Sequence, residues 1–175
     1  MKTGQLLVFT GNGKGKTTAA LGLALRAVGH GLRVGFLQFI KGNLSCGEHK
    51  AAERLAPFLE IRQLGSGFLR ASDGRFPPEA YANARQQWER AKPLILASPY
   101  EMLVLDELCY LLLWGLLPVE EVADVVRRRD PGCHLVITGR GAPPELVALA
   151  DTVTEMTEVK HAFTRGVPAE KGIEL

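Results

Sequence analysis

The stretch Leu6-Leu7-Val8-Phe9-Thr10-Gly11-Asn12-Gly13-Lys14-Gly15-Lys16-Thr17-Thr18 constrains this chain more than any other. A short apolar run, too brief for a helix, meets a glycine-rich turn, and a helical pattern starts directly after it. Strand, glycine-rich loop and helix in that order are the context in which a Lys-Thr pair reads as a phosphate loop. Successive backbone N–H groups of such a loop gather anionic oxygens, and the positive end of the following helix adds to the field. Gly11, Gly13 and Gly15 are expected to permit positive φ and close approach of the main chain to phosphate. Lys16 is expected to reach the terminal phosphates, and the Thr17 hydroxyl to ligate Mg²⁺. The loop departs from the usual G-x-x-x-x-G-K-[ST] spacing, because Thr10 stands where the first glycine is expected and the glycine follows at Gly11.

The remaining elements read as alternating strands and helices. Strands are expected over Gln5–Thr10, Val34–Ile40, Leu59–Leu64, Glu101–Glu107, Cys133–Thr138 and Thr152–Met156. Helices are expected over Thr17–Val28, Glu48–Ala56, Pro78–Ala97, from Pro118 to the basic run Arg127–Arg129, and over Pro143–Ala150. This alternation implies an α/β fold: a single-domain, RecA-like, phosphate-loop architecture with a mostly parallel sheet flanked by helices on both faces. At 175 residues, with no repeat or linker, the whole of 1–175 is expected to form one domain. A net charge of +2 with interspersed signs argues against a nucleic-acid surface. The three cysteines, Cys46, Cys109 and Cys133, lack C-x-x-C spacing and are expected to be buried and reduced. No apolar stretch is long enough to span a bilayer and no leader is visible, so the expected location is cytoplasmic.

Two further clusters carry chemistry. Asp106 and Glu107 close an apolar strand, where a carboxylate can hold Mg²⁺ opposite Thr17. Arg140 follows Leu135-Val136-Ile137-Thr138 between two glycines, and its planar fork suits phosphate oxygens. Phe68 lies in a long glycine-flanked segment and is equally readable as a ligand-facing aromatic or a packing plug. Lys160 and His161 read as a solvated pair near the C-terminus, and His49 has no partner at a telling spacing. These residues describe a Mg²⁺-dependent nucleoside-triphosphate protein without naming a reaction. A hydrolytic ATPase or nucleoside kinase with Glu107 as base remains open, as does a non-catalytic nucleotide-dependent protein.

Taken together, the motifs resemble the ATP:corrinoid adenosyltransferases of the CobA/BtuR/CobO type. The resemblance rests on Phe9–Ala20, Arg26–Gly31, Gln38–Gly42, Val104–Leu108, Ile137–Gly141 and Val159–Phe163, in that order along nearly the whole chain. It accounts for the displaced glycine of the loop. It implies transfer of the 5′-deoxyadenosyl group of ATP to the Co(I) centre of a corrinoid, cob(I)alamin or cob(I)yrinic acid a,c-diamide, with release of triphosphate. ATP is then a co-substrate, Mg²⁺ or Mn²⁺ the metal, and an electron donor that generates Co(I) a partner; a homodimer is the family's assembly. The resemblance gives Lys16, Glu107 and Arg140 catalytic roles. It gives ATP binding to Gly11, Asn12, Gly13, Lys14, Gly15, Lys16, Thr17, Thr18 and Arg140, and the metal to Thr17, Asp106 and Glu107. Gly67, Phe68 and Arg70 match the corrinoid-facing loop, Phe68 matching an aromatic that helps displace the lower axial ligand. Arg70 stands where some members carry tryptophan, and a covering N-terminal extension has no counterpart here, so another element or a partner subunit is expected to close the site.

Overall fold

The computed structural model describes residues 3–40, 42, 46–65 and 75–173. Six strands form one sheet: β1 (Leu6–Thr10), β2 (Val34–Gln38), β3 (Leu59–Gln63), β4 (Met102–Asp106), β5 (His134–Thr138) and β6 (Thr152–Glu155). Their spatial order is β3-β2-β4-β5-β1-β6, and every pairing is parallel. Parallel neighbours require a crossover between strands, and the helices supply it: α1 (Lys16–Gly29), α2 (Gly47–Leu55), α3 (Pro78–Leu96), α4 (Leu108–Leu113), α5 (Val119–Arg127) and α6 (Pro144–Leu149).

The period-2 alternation of the strands divides the core into two layers. Leu6, Val8, Leu37, Leu103, Leu105, Leu135 and Ile137 point to one face, where they meet Ala84, Trp88 and Ile95 of α3 with residues of α4, α5 and α6. Phe36, Val104 and Val136 point to the other face, against Ala20, Ala24 and Ala27 of α1 and Ala52 of α2. Covering both faces is what makes β2 and β4 apolar without alternation, each buried at all five positions. The alanine stripe of α1 lets its backbone lie close to the sheet, which fixes the helix whose N-terminus ends the loop. On the opposite layer, Trp88 donates its indole N–H to Glu121 at 2.9 Å, and Arg85 holds the same carboxylate, tying α3 to α5. Arg85 first, then Lys92 and Trp88, pull the Glu121 carboxyl down to a pKa of about 2.

The expected strands and helices all form, with ends shifted by one or two residues. The sheet is wholly parallel across its six strands. The short helix Leu108–Leu113 is additional to the expected elements. Its six residues are continuously apolar in sequence (Leu-Cys-Tyr-Leu-Leu-Leu), so periodicity carries no helical signature there. All three cysteines are buried and free, and burial raises the Cys109 thiol to a pKa of about 12. Among the described residues, no helix is long and apolar enough to cross a membrane.

Candidate active site

The sheet order brings three strand ends together. β1 runs into the glycine-rich loop, its neighbour β5 ends at Thr138, and β4, beside β5, ends at Asp106. Ligands of open parallel sheets gather at these carboxyl ends.

The loop is held by the end of β6. Thr10 O accepts from Met156 N at 2.8 Å, and Gly13 N donates to Met156 O at 2.7 Å. A Cβ on Gly11 would lie 2.4 Å from Met156 O, and its φ of 92° is in the left-handed region as well. A Cβ on Gly13 would lie 2.8 Å from the Met156 and Thr157 carbonyl oxygens. Gly13 is thus required by space alone, since its φ is outside the left-handed region. Gly15 caps α1; no side chain caps this helix and no acid stands in its first turn. Helices usually satisfy their first N–H groups with a Ser, Thr, Asp or Asn cap. Here no side chain of the helix start takes those donors, and no acid offsets the positive helix end.

Lys16 bends back over the loop, donating to Gly11 O at 2.7 Å and Gly13 O at 2.6 Å. Partial burial lowers its pKa, and Arg140 nearby adds to that; Glu107 works in the opposite direction. Two cations, Lys16 and Arg140, and two acids, Glu107 and Glu158, thus act on one another at this point. Behind them, Thr17 Oγ1 donates to Asp106 Oδ1 at 2.8 Å, and Asp106 is wholly buried. Glu107 follows at φ 65°, the only described non-glycine residue at positive φ, and its N–H donates to Thr138 Oγ1 at 2.9 Å. Such conformations cost about 1–3 kcal/mol and concentrate at functional sites.

These groups open onto a cavity of about 650 Å³, within the size range of small-molecule sites. Its charged wall is Gly13–Thr18 with Glu107 and Arg140; its apolar wall is Leu21, Leu25, Ala51, Leu55 and Leu59. Gly47, Glu48, Tyr110, His161, Gly172 and Ile173 complete it. Gly11 and Asn12 face elsewhere, into a separate hollow of about 370 Å³ with Gly141 and Glu155. Gly67, Phe68 and Arg70 lie outside the described residues.

Several lining residues were not signalled by local sequence. Glu48 is placed by Gln38, buried at the end of β2, which donates to Glu48 Oε1 at 3.2 Å while its Oε1 meets His49 Nε2 at 2.9 Å. His49 therefore does have partners: Gln38, eleven residues upstream at a distance that spacing does not reveal, and the Cys46 N–H, which donates to its Nδ1 at 3.2 Å. His161 is a wall of the cavity rather than a solvated residue, while Lys160 is exposed. The C-terminal segment returns to the loop, where Lys14 Nζ donates to Ile173 O at 3.0 Å.

Among the described residues, no three His, Cys, Asp or Glu side chains converge as an all-protein metal cage. A hydroxyl beside a carboxylate offers hard oxygen donors. That set fits Mg²⁺, which takes one or two protein oxygens and completes its shell with phosphate and water.

The family model of the ATP:corrinoid adenosyltransferases BtuR/CobO/CobP matches residues 2–175. The chain belongs to this family. A corrinoid adenosyltransferase of Escherichia coli strain K12 is 44% identical over 98% of this chain and 85% of its own length. One from Pseudomonas aeruginosa PAO1 is 42% identical over 98% of this chain and 84% of its own. Among solved structures, a KaiC-like protein from Pyrococcus horikoshii OT3 superposes with a TM-score of 0.50. That match covers 91% of this chain and 76% of the other at 16% identity, so it speaks to the RecA-like fold alone. As an ATP:corrinoid adenosyltransferase, the chain takes ATP as a co-substrate and a corrinoid as the acceptor of the adenosyl group.

Proposed function

We propose that the cavity at the phosphate loop binds ATP so that its triphosphate is the leaving group and its 5′ carbon faces a reduced corrinoid. The observation that supports this most is the α1 N-terminus, without a side-chain cap or a first-turn acid, set beside Lys16 and Arg140 at one wall of the cavity. In the reaction, the Co(I) electron pair attacks C5′, the cobalt–carbon bond forms as the C5′–O bond breaks, and triphosphate departs with that bond's electrons. Cobalt ends formally two electrons more oxidised. The nucleophile carries no proton, so no general base is needed, and Glu107 acts as an electrostatic and metal-side group.

The protein's work is orientation and stabilisation of the leaving charge. Lys16 exchanges the Gly11 and Gly13 carbonyls for phosphate oxygens. Gly13 to Thr18 offer backbone N–H groups, Lys14 and Thr18 border the same chain of phosphates, and Arg140 closes on it from the end of β5. Gly11 and Asn12 shape the outer turn of the loop. Thr17 and Asp106, with Glu107 beside them, would hold Mg²⁺ or Mn²⁺, which when bound offsets negative charge on the triphosphate. The apolar wall of Leu21, Leu25 and Leu55 suits a large, flat, largely apolar substrate surface. Gly67, Phe68 and Arg70 are proposed as corrinoid contacts on the strength of the family resemblance alone.

We further propose that 1–175 acts as one domain in a cytoplasmic homodimer that depends on a separate electron donor and engages neither nucleic acid nor membrane. The acceptor is cob(I)yrinic acid a,c-diamide or cob(I)alamin. The test is to mix the protein with ATP, Mg²⁺ and a chemically reduced corrinoid and to follow the absorbance of the corrinoid. A light-sensitive alkylcobalt product that needs both ATP and protein is expected. Its absence with both acceptors would contradict the proposal.

A further inference from the structure

We infer that Thr138 is a positioning residue of this site: its buried hydroxyl clasps Asp106 and Glu107 and thereby sets the metal-side oxygens against the phosphate loop. Thr138 ends β5 and is wholly buried. Its Oγ1 accepts from the Glu107 N–H at 2.9 Å and donates to Asp106 Oδ1 at 2.7 Å. That same oxygen accepts the Thr17 hydroxyl at 2.8 Å. One carboxylate oxygen thus accepts a hydrogen bond from the loop helix and another from β5, and one threonine holds the Asp106 carboxylate and the Glu107 backbone.

The location makes this clasp more than packing. The parallel pairing of β4 with β5 runs to Leu105 opposite Ile137. Asp106 and Thr138 are the next residues on each strand, and there side chains continue what the backbone ladder began. Immediately beyond, Glu107 adopts φ 65° and turns into the wall of the cavity. A hydroxyl has one proton to give and lone pairs to accept with, and here both functions are used in opposite directions. Valine has nearly the same shape but breaks both bonds, whereas serine keeps both. Groups that hydrogen-bond metal-ligating carboxylates fix their orientation, and their loss costs about 10- to 100-fold in metal affinity or activity.

This inference rests on the proposed Mg²⁺ site, and the experiment separates the two. ATP binding to the full chain is measured by calorimetry with Mg²⁺ and with EDTA for the unaltered protein, T138V and T138S. The expected result is that Mg²⁺ tightens ATP binding to the unaltered protein and that T138V loses about 10- to 100-fold of that gain. Affinity in EDTA and the circular dichroism spectrum should stay unchanged, and T138S should lie within a few-fold of the parent. If T138V does not fold, T138A, which removes atoms and adds none, carries the same comparison. A T138V protein with the parent's full Mg²⁺ dependence, or an equal loss with and without metal, would overturn the positioning role. An unaltered protein indifferent to Mg²⁺ would overturn the metal site and this role together.

Discussion

Lys16 shows how a single side chain is prepared for its substrate. Its ammonium rests on two loop carbonyls at 2.6 and 2.7 Å, and burial together with Arg140 lowers its pKa. A triphosphate brings full negative charge where the carbonyls offer only dipoles, so exchange favours the ligand. Lys16→Ala removes a charged donor aimed at the leaving group, and kcat/KM for ATP should fall by at least about 100-fold, the scale of losing one donor to a developing anion. Steady-state kinetics at saturating corrinoid check this; a kcat/KM within a few-fold of the parent would contradict the role. Lys16, Thr17, Asp106, Glu107 and Arg140 were legible in sequence because each sits at a fixed offset from a strand end. Gln38, Glu48 and His49 were not. Their grouping depends on the turn of α2 after β2, and no local pattern encodes that turn.

At the scale of elements, the loop belongs as much to β6 as to β1. Met156 bonds to both ends of it, to Thr10 O and from Gly13 N, and leaves no room for side chains on Gly11 or Gly13. The offending atoms are backbone, which cannot swing aside as a flexible side chain would. Gly13→Ala should therefore push the loop off β6 and weaken ATP binding by about tenfold or more, a cost of the order seen for an overpacked contact. Secondary structure should be retained, as followed by circular dichroism alongside calorimetric ATP titration. Unchanged affinity in G13A would show that the β6 contact does not shape the loop. The sequence suggested positive φ for all three loop glycines. The contact with a strand more than 140 residues away, which explains Gly13, has no local signal. Strand and helix periods were otherwise readable because both faces of the sheet are covered, so the apolar runs of β2 and β4 stand out against their polar flanks. The run Leu108–Leu113 escaped for a different reason: all six residues are apolar although Leu113 is exposed, so no polar face marks an amphipathic period.

For the whole molecule, a RecA-like sheet is used for a different end. Folds of this kind bring a phosphate loop, an acid pair and a strand-end arginine to one edge, and that arrangement serves hydrolysis as readily as alkyl transfer. What separates the two is which bond of ATP breaks. The resemblance in the loop and the family match over residues 2–175 assign the break to C5′–O, which the geometry accommodates but does not by itself dictate. The measurement that bears most directly on this is identification of the phosphate product by anion-exchange chromatography after reaction with ATP, Mg²⁺ and reduced corrinoid. Inorganic triphosphate, formed one-for-one with alkylcobalt and only when corrinoid is present, is the predicted result. ADP with orthophosphate, released whether or not corrinoid is added, would contradict it.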